Sequence, residues 1–223
     1  MSRSTQVMTA GLLLAAAVVF AQTASQMIDF RIFDLRLRVL DSNHHASLFG
    51  VISILAQAVA AMAIGLRVVS SRRLAWLMVA ALVGLLAVPR ALMRYEPAFE
   101  RHDVLILVAP LTVAFIVLCA LTFRDARRVR FMVWGSLALL AFSFALHAVG
   151  AQADASSPSV YGTSAYLATH TWPYQVTGMI KHGAELTGWM LLATAMAAAA
   201  SLRARAKAAN AIRGSARAEG ART

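Results

Sequence analysis

The residues best suited to chemistry lie in one stretch, Lys181-His182-Gly183-Ala184-Glu185. On a helix, His182 and Glu185 at i and i+3 share a face, and Lys181 and Glu185 at i and i+4 are neighbours. Imidazole binds metals and moves protons near neutral pH, and a carboxylate one turn away adds a second ligand or a proton acceptor. The turn therefore reads as a metal ligand pair, as a catalytic proton relay of Glu185, His182 and Lys181, or as an anchor for a polar head group. A plainer alternative has Lys181 reaching out to the membrane surface while paired with Glu185.

Five further histidines widen the choice: His44, His45, His102, His147 and His170. His147, His182 and Glu185, joined by one of His44, His45 or His102, make a ligand set that suits zinc or iron, with haem a poorer fit. Ser136, Ser143 and His147 are spaced by 7 and 4, so they form one polar stripe leading outward to His147. The two serines read as packing devices rather than as catalytic groups. Arg90 and Arg94, again at i and i+4, can hold an anionic head group or cofactor, or simply pair with Glu96, Glu100 and Asp103. Gln22, Gln26 and Gln57 are polar groups in apolar runs and need partners.

These residues must be carried by helices in a membrane. The chain has 223 residues, 60% of them hydrophobic and 14% charged, with a mean hydropathy of +0.67. That is too apolar for an ordinary soluble domain. A spanning helix needs about 20 apolar residues, and six such runs occur, at 6–28, 47–66, 74–93, 104–123, 131–150 and 177–202. The expected fold is an all-α polytopic bundle of six spans followed by a basic tail, 203–223. Continuous apolar runs such as Gly11 to Phe20 do not show the alternation of a membrane barrel. The first run also has the layout of a secretory signal peptide, with Arg3 before it and small residues from Ala21 to Ser25 after it. Cleavage there leaves five spans, and intact mass distinguishes the two cases.

Basic residues set the orientation. Arg3, Arg67, Arg72, Arg73, Arg124, Arg127, Arg128, Arg130 and the tail's Arg203, Arg205, Lys207, Arg213, Arg217 and Arg222 fall on the side of the termini. Arg31, Arg36, Arg38, Arg90, Arg94 and Arg101 fall opposite, among seven acids. Both termini are thus expected in the cytoplasm, in a bacterial-type inner membrane, and all 6 histidines face outward. The tail's charge suits anionic inner-leaflet lipid or a cytoplasmic partner. The loop from Ala151 to Gln175 carries Tyr161, Tyr166, Trp172 and Tyr174, residues of an interfacial aromatic belt or of a lid. The segment from Asp29 to Asp41 alternates polar and apolar residues nearly throughout and is expected to lie in the interface.

Several function classes drop out. The net charge of +11 is distributed between apolar runs rather than gathered on one face, so no nucleic-acid partner is expected. Cys119 is the sole cysteine, which excludes an intramolecular disulfide and paired-cysteine motifs. Nucleotide-loop, zinc-protease and nucleophile-elbow patterns are absent.

The layout resembles a loosely defined set of uncharacterised bacterial multi-pass membrane proteins. The resemblance rests on Phe33-Asp34-Leu35 before the second span, the acidic and histidine cluster from Glu96 to His102 after the third, and Lys181-His182 with Glu185 before Gly188 in the last. Lys181 and His182 stand where the set carries acids. The resemblance implies the architecture and no activity. From the residues, the first expectation is a membrane enzyme or metal protein acting on a lipid or extracytoplasmic substrate. The others are a proton-coupled transporter and a non-catalytic subunit, assembled as a homo- or hetero-oligomer through small-residue faces such as Ala184 to Gly188 and Ala195 to Ala200.

Overall fold

A computed structural model describes residues 3–37, 39–40, 47–71, 74–95, 101–122, 127–156 and 171–220. Six α-helices account for almost all of them: α1 (Arg3–Ile32), α2 (Leu48–Ser71), α3 (Leu74–Tyr95), α4 (Arg101–Thr122), α5 (Arg127–Ser156) and α6 (Trp172–Gly220). No strand occurs among the described residues. Every apolar run expected to be helical falls on one of these helices to within one residue at its ends, Phe123 lying outside the described residues. Four of them, at Ser4–Ile32, Leu48–Arg67, Arg127–His147 and Trp172–Leu202, are long and apolar enough to cross a membrane. Their surfaces carry exposed Leu13, Phe20, Leu55, Met62, Phe131 and Phe142, apolar groups of the kind a bilayer accommodates.

The helices run past the apolar limits because helix propensity does not change where the hydrocarbon ends. Ala, Arg, Gln and Glu favour helix in water as well, so α5 continues to Ser156 and α6 continues through the basic tail to Gly220. At 49 residues, α6 is about 73 Å long at the usual rise per residue. It also starts earlier than its apolar run, at Trp172. Thr171 accepts the amide of Gln175 at 3.1 Å, and Pro173 sits in the first turn, where its missing N–H is no loss. The outer loop is correspondingly shorter than Ala151 to Gln175.

The alternating segment after the first span is resolved differently from a single interfacial stretch. Its first four residues belong to α1, and the helix is then turned by Asp34 and Leu35, at φ 51° and 57°. This left-handed conformation costs side-chain-bearing residues about 1–2 kcal/mol each. Asp29 compensates: its carbonyl accepts the amides of Phe33 and Leu35 at 3.1 Å, and its carboxylate accepts that of Leu37 at 3.0 Å. After the reversal, Leu48 N–H bonds to Val39 at 2.9 Å, and Ser47 caps α2 through Gly50 N–H at 3.0 Å.

Packing closes α2, α3, α4, α5 and α6 into a ring, with α6 touching both α5 and α2, while α1 lies outside and packs on α6. The ring is filled towards the end where α2 passes into α3 and α4 into α5 by Ile64, Trp76, Val79, Phe115, Cys119, Leu137, Trp189 and Met196. Close approaches to α6 need small residues. A β-carbon at Gly188 would stand 2.7 Å from Leu140 Cγ and 3.2 Å from the Ser136 carbonyl oxygen, and one at Gly11 would run into Thr194. The small residues of α6 are therefore largely used inside the chain: Gly188, Ala195, Ala198 and Ala199 are buried.

Arg67 departs from its sequence reading as a loop charge. It is 6% exposed, with its guanidinium 4.2 Å above the Trp76 ring and Nη1 3.8 Å from Met196 Sδ. The cation closes the inner end of the ring between α2, α3 and α6.

Candidate metal centre

α5 and α6 make the most extensive helix pair in the molecule. Ser136 Oγ donates to the Gly188 carbonyl at 2.7 Å, and the bare Gly188 lets Leu140 lie over it. This contact sets the register of two antiparallel helices. His147 follows on α5, three turns outward of Ser136, and Glu185 and His182 follow on α6, one and two turns outward of Gly188. Side chains lean towards the N-terminus of their own helix. His147 thus leans inward and the α6 pair outward, and the three meet.

Glu185 Oε2 lies 3.9 Å from His147 Nε2 and 3.9 Å from His182 Nδ1. The imidazoles stand edge to face, centroids 5.3 Å apart at 76°. Three ligand atoms, one from each residue, fall within 4.8 Å of one another. Glu185 is buried at 9% exposure, and the histidine side chains are part-exposed. A separation of 3.9 Å is too long for a hydrogen bond. It is close to the spacing that a metal imposes, since tetrahedral bonds of ~2.1 Å hold ligand atoms about 3.4 Å apart.

The other residues singled out in the sequence are placed as follows. Lys181 is part-buried on the same turn as His182. Arg90 and Arg94 lie on α3 and His102 in the first turn of α4, with side chains outside the described set; His44, His45 and His170 are outside the described residues altogether. Ser136 and Ser143 are buried, with Ser136 in the packing role its spacing suggested.

Beside the cluster, α1 brings a second polar row to α6. Gln22, Gln26 and Asp29, spaced by 4 and 3, are all 0% exposed. Gln26 Nε2 donates to Gln175 Oε1 at 2.6 Å, and Gln22 faces Gly183. The outer ends are clamped by Trp172, which stacks edge-on with Phe30 at 5.0 Å and carries Arg31 at 4.5 Å over its ring. Gln175 was not recognised from sequence, where it falls in the presumed loop; its place on α6 follows from the early helix start. Near the middle of α2, Gln57 finds its partner on α3, donating to the Val83 carbonyl at 2.9 Å.

No protein-family model, curated protein or solved structure matches this chain. Function is therefore read from its own residues.

Proposed function

We propose that this chain is a six-span inner-membrane protein, with both termini in the cytoplasm, that binds a zinc or iron ion through His147, His182 and Glu185 at its outward-facing end. The observation that carries the reading is the convergence of three ligand atoms within 4.8 Å from two helices held in register by Ser136 and Gly188. Two imidazoles and one carboxylate are a donor set for either metal and leave coordination positions open. A metal so held polarises a bound oxygen or activates water, and the substrate class is a lipid head group or another extracytoplasmic molecule. An ion suits the site better than haem, because imidazoles 5.3 Å apart and edge to face leave no slot for a porphyrin between them.

The filling of the ring supports a site served from the outer face over a conducting path. Trp76, Phe115, Leu137 and Trp189 occupy its inner half, where a proton-coupled transporter would need polar groups in series.

Thermal unfolding of the metal-stripped protein tests the proposal. Added Zn²⁺ at 100 times its Kd stabilises a folded site by about 2.7 kcal/mol. The melting temperature of the native sequence is expected to rise with Zn²⁺, and that of a His147→Ala/His182→Ala variant to stay unchanged. Equal responses in both proteins would refute the site.

A further inference from the structure

Among the described residues Gln22 is a buried carboxamide, 0% exposed, with neither amide atom hydrogen-bonded. Buried carboxamides are otherwise satisfied in native structures, as Gln26 is, one turn outward on the same face, by Gln175. The row thus continues inward from a satisfied pair to an unsatisfied group, and that group lies beside the metal-binding turn.

The placement on α6 is specific. Gln22 Oε1 lies 3.9 Å, and Val19 Cγ1 3.5 Å, from where a β-carbon of Gly183 would stand. Gly183 separates His182 from Glu185 along the chain. Glycine is disfavoured inside helices; here a β-carbon would come only into ordinary contact with Val19 and Gln22, so close packing does not demand the bare position. Around the α6 axis His182 is about 100° from Gly183. It stands between the face turned to α1, which carries Gly183 and Gln175, and the face turned to α5, which carries Glu185 and Gly188. Gln22 thus lies against the α1-facing side of the turn that carries two of the three ligands.

We infer that Gln22 is a ligand-binding residue of this centre. Its N–H donates to, and its carbonyl oxygen accepts from, a small oxygen-rich molecule or head group whose oxyanion occupies the open metal position. A carboxamide pairs with groups that both donate and accept, so the ligand class carries a metal-binding oxyanion and, a few bonds away, an amide, carboxylic acid or hydroxyl. The inference rests on the metal reading above.

The test uses the full-length protein in detergent, loaded with Co²⁺ as a spectroscopic stand-in for zinc. Two hydroxamates are titrated against the cobalt absorption bands: succinamic hydroxamic acid, which ends in a carboxamide, and 4-methylpentanohydroxamic acid, its apolar counterpart of similar shape. The native sequence is expected to favour the carboxamide probe. Gln22→Leu and Gln22→Met, which keep the volume and remove the amide, are expected to weaken that probe about tenfold, or 1.4 kcal/mol. Both should keep the cobalt stoichiometry and the affinity for the apolar probe. Unchanged binding of both probes in both variants, parallel loss of both probes, or loss of cobalt itself would overturn the ligand role of Gln22. A native protein that takes up no Co²⁺ removes the metal reading and the inference together, whereas one that binds Co²⁺ without preferring the carboxamide probe removes the inference alone.

Discussion

Glu185 joins the two histidines, since a single oxygen, Oε2, stands 3.9 Å from both imidazoles. If the three residues share a metal, loss of any one removes a ligand. His147→Ala, His182→Ala and Glu185→Gln are each expected to lower metal content from near one per chain towards zero, as read by elemental analysis after gel filtration. A proton and a metal compete for the same imidazole nitrogen. Acidification should therefore weaken binding in the native sequence, and equilibrium dialysis across mildly acidic to neutral pH checks the sign: affinity that is flat or rises on acidification contradicts imidazole ligation. Much of this site was legible at the residue scale. The i, i+3 spacing put His182 and Glu185 on one face, and the stripe of Ser136, Ser143 and His147 pointed a third ligand the same way. Sequence spacing carries no interhelical distance, however, so it had no means of choosing among His44, His45 and His102 as a fourth ligand beside His147, His182 and Glu185; His44 and His45 lie outside the described residues.

At the scale of elements, α6 organises the bundle by presenting small residues where neighbours come close. Gly188→Val puts branched carbon against Leu140 and the Ser136 backbone, and overpacking of this kind costs about 1–3 kcal/mol. A lower melting temperature is the expected result, with weaker metal binding because His147 moves relative to Glu185; an unchanged melting temperature would show that α5 and α6 do not pack here. Ser136→Ala removes one interhelical hydrogen bond, a loss of about 1 kcal/mol, and is expected to be the milder of the two. The existence of the helices was plain from their apolar runs, because lipid leaves a spanning segment few alternatives to helix. Their ends were not, since no change of hydropathy marks them. α1 ends at a reversal built by Asp29, Asp34 and Leu35, and α6 begins at Trp172 and passes without a break into a basic segment. The same limit hid Gln175, which joins the polar row only because α6 starts early.

Across the whole molecule, polar and apolar groups are segregated along the bundle. The His147, His182 and Glu185 cluster and the row of Gln22, Gln26, Asp29 and Gln175 occupy one half, while the aromatic and aliphatic filling, closed by Arg67 over Trp76, occupies the other. In the proposed orientation, which follows the distribution of basic residues, the polar half faces outside. A periplasm-active reporter fused after Arg128 is expected to be inactive and one fused at Ser157 active, and the reverse pattern would turn the bundle over. The central claim is the metal itself, and elemental mass spectrometry of the detergent-purified protein tests it most directly, beside a variant in which His147, His182 and Glu185 are all replaced. Close to one zinc or iron per native chain, absent from the folded variant, is the predicted result. A native protein without metal, or a variant that retains as much, would contradict it.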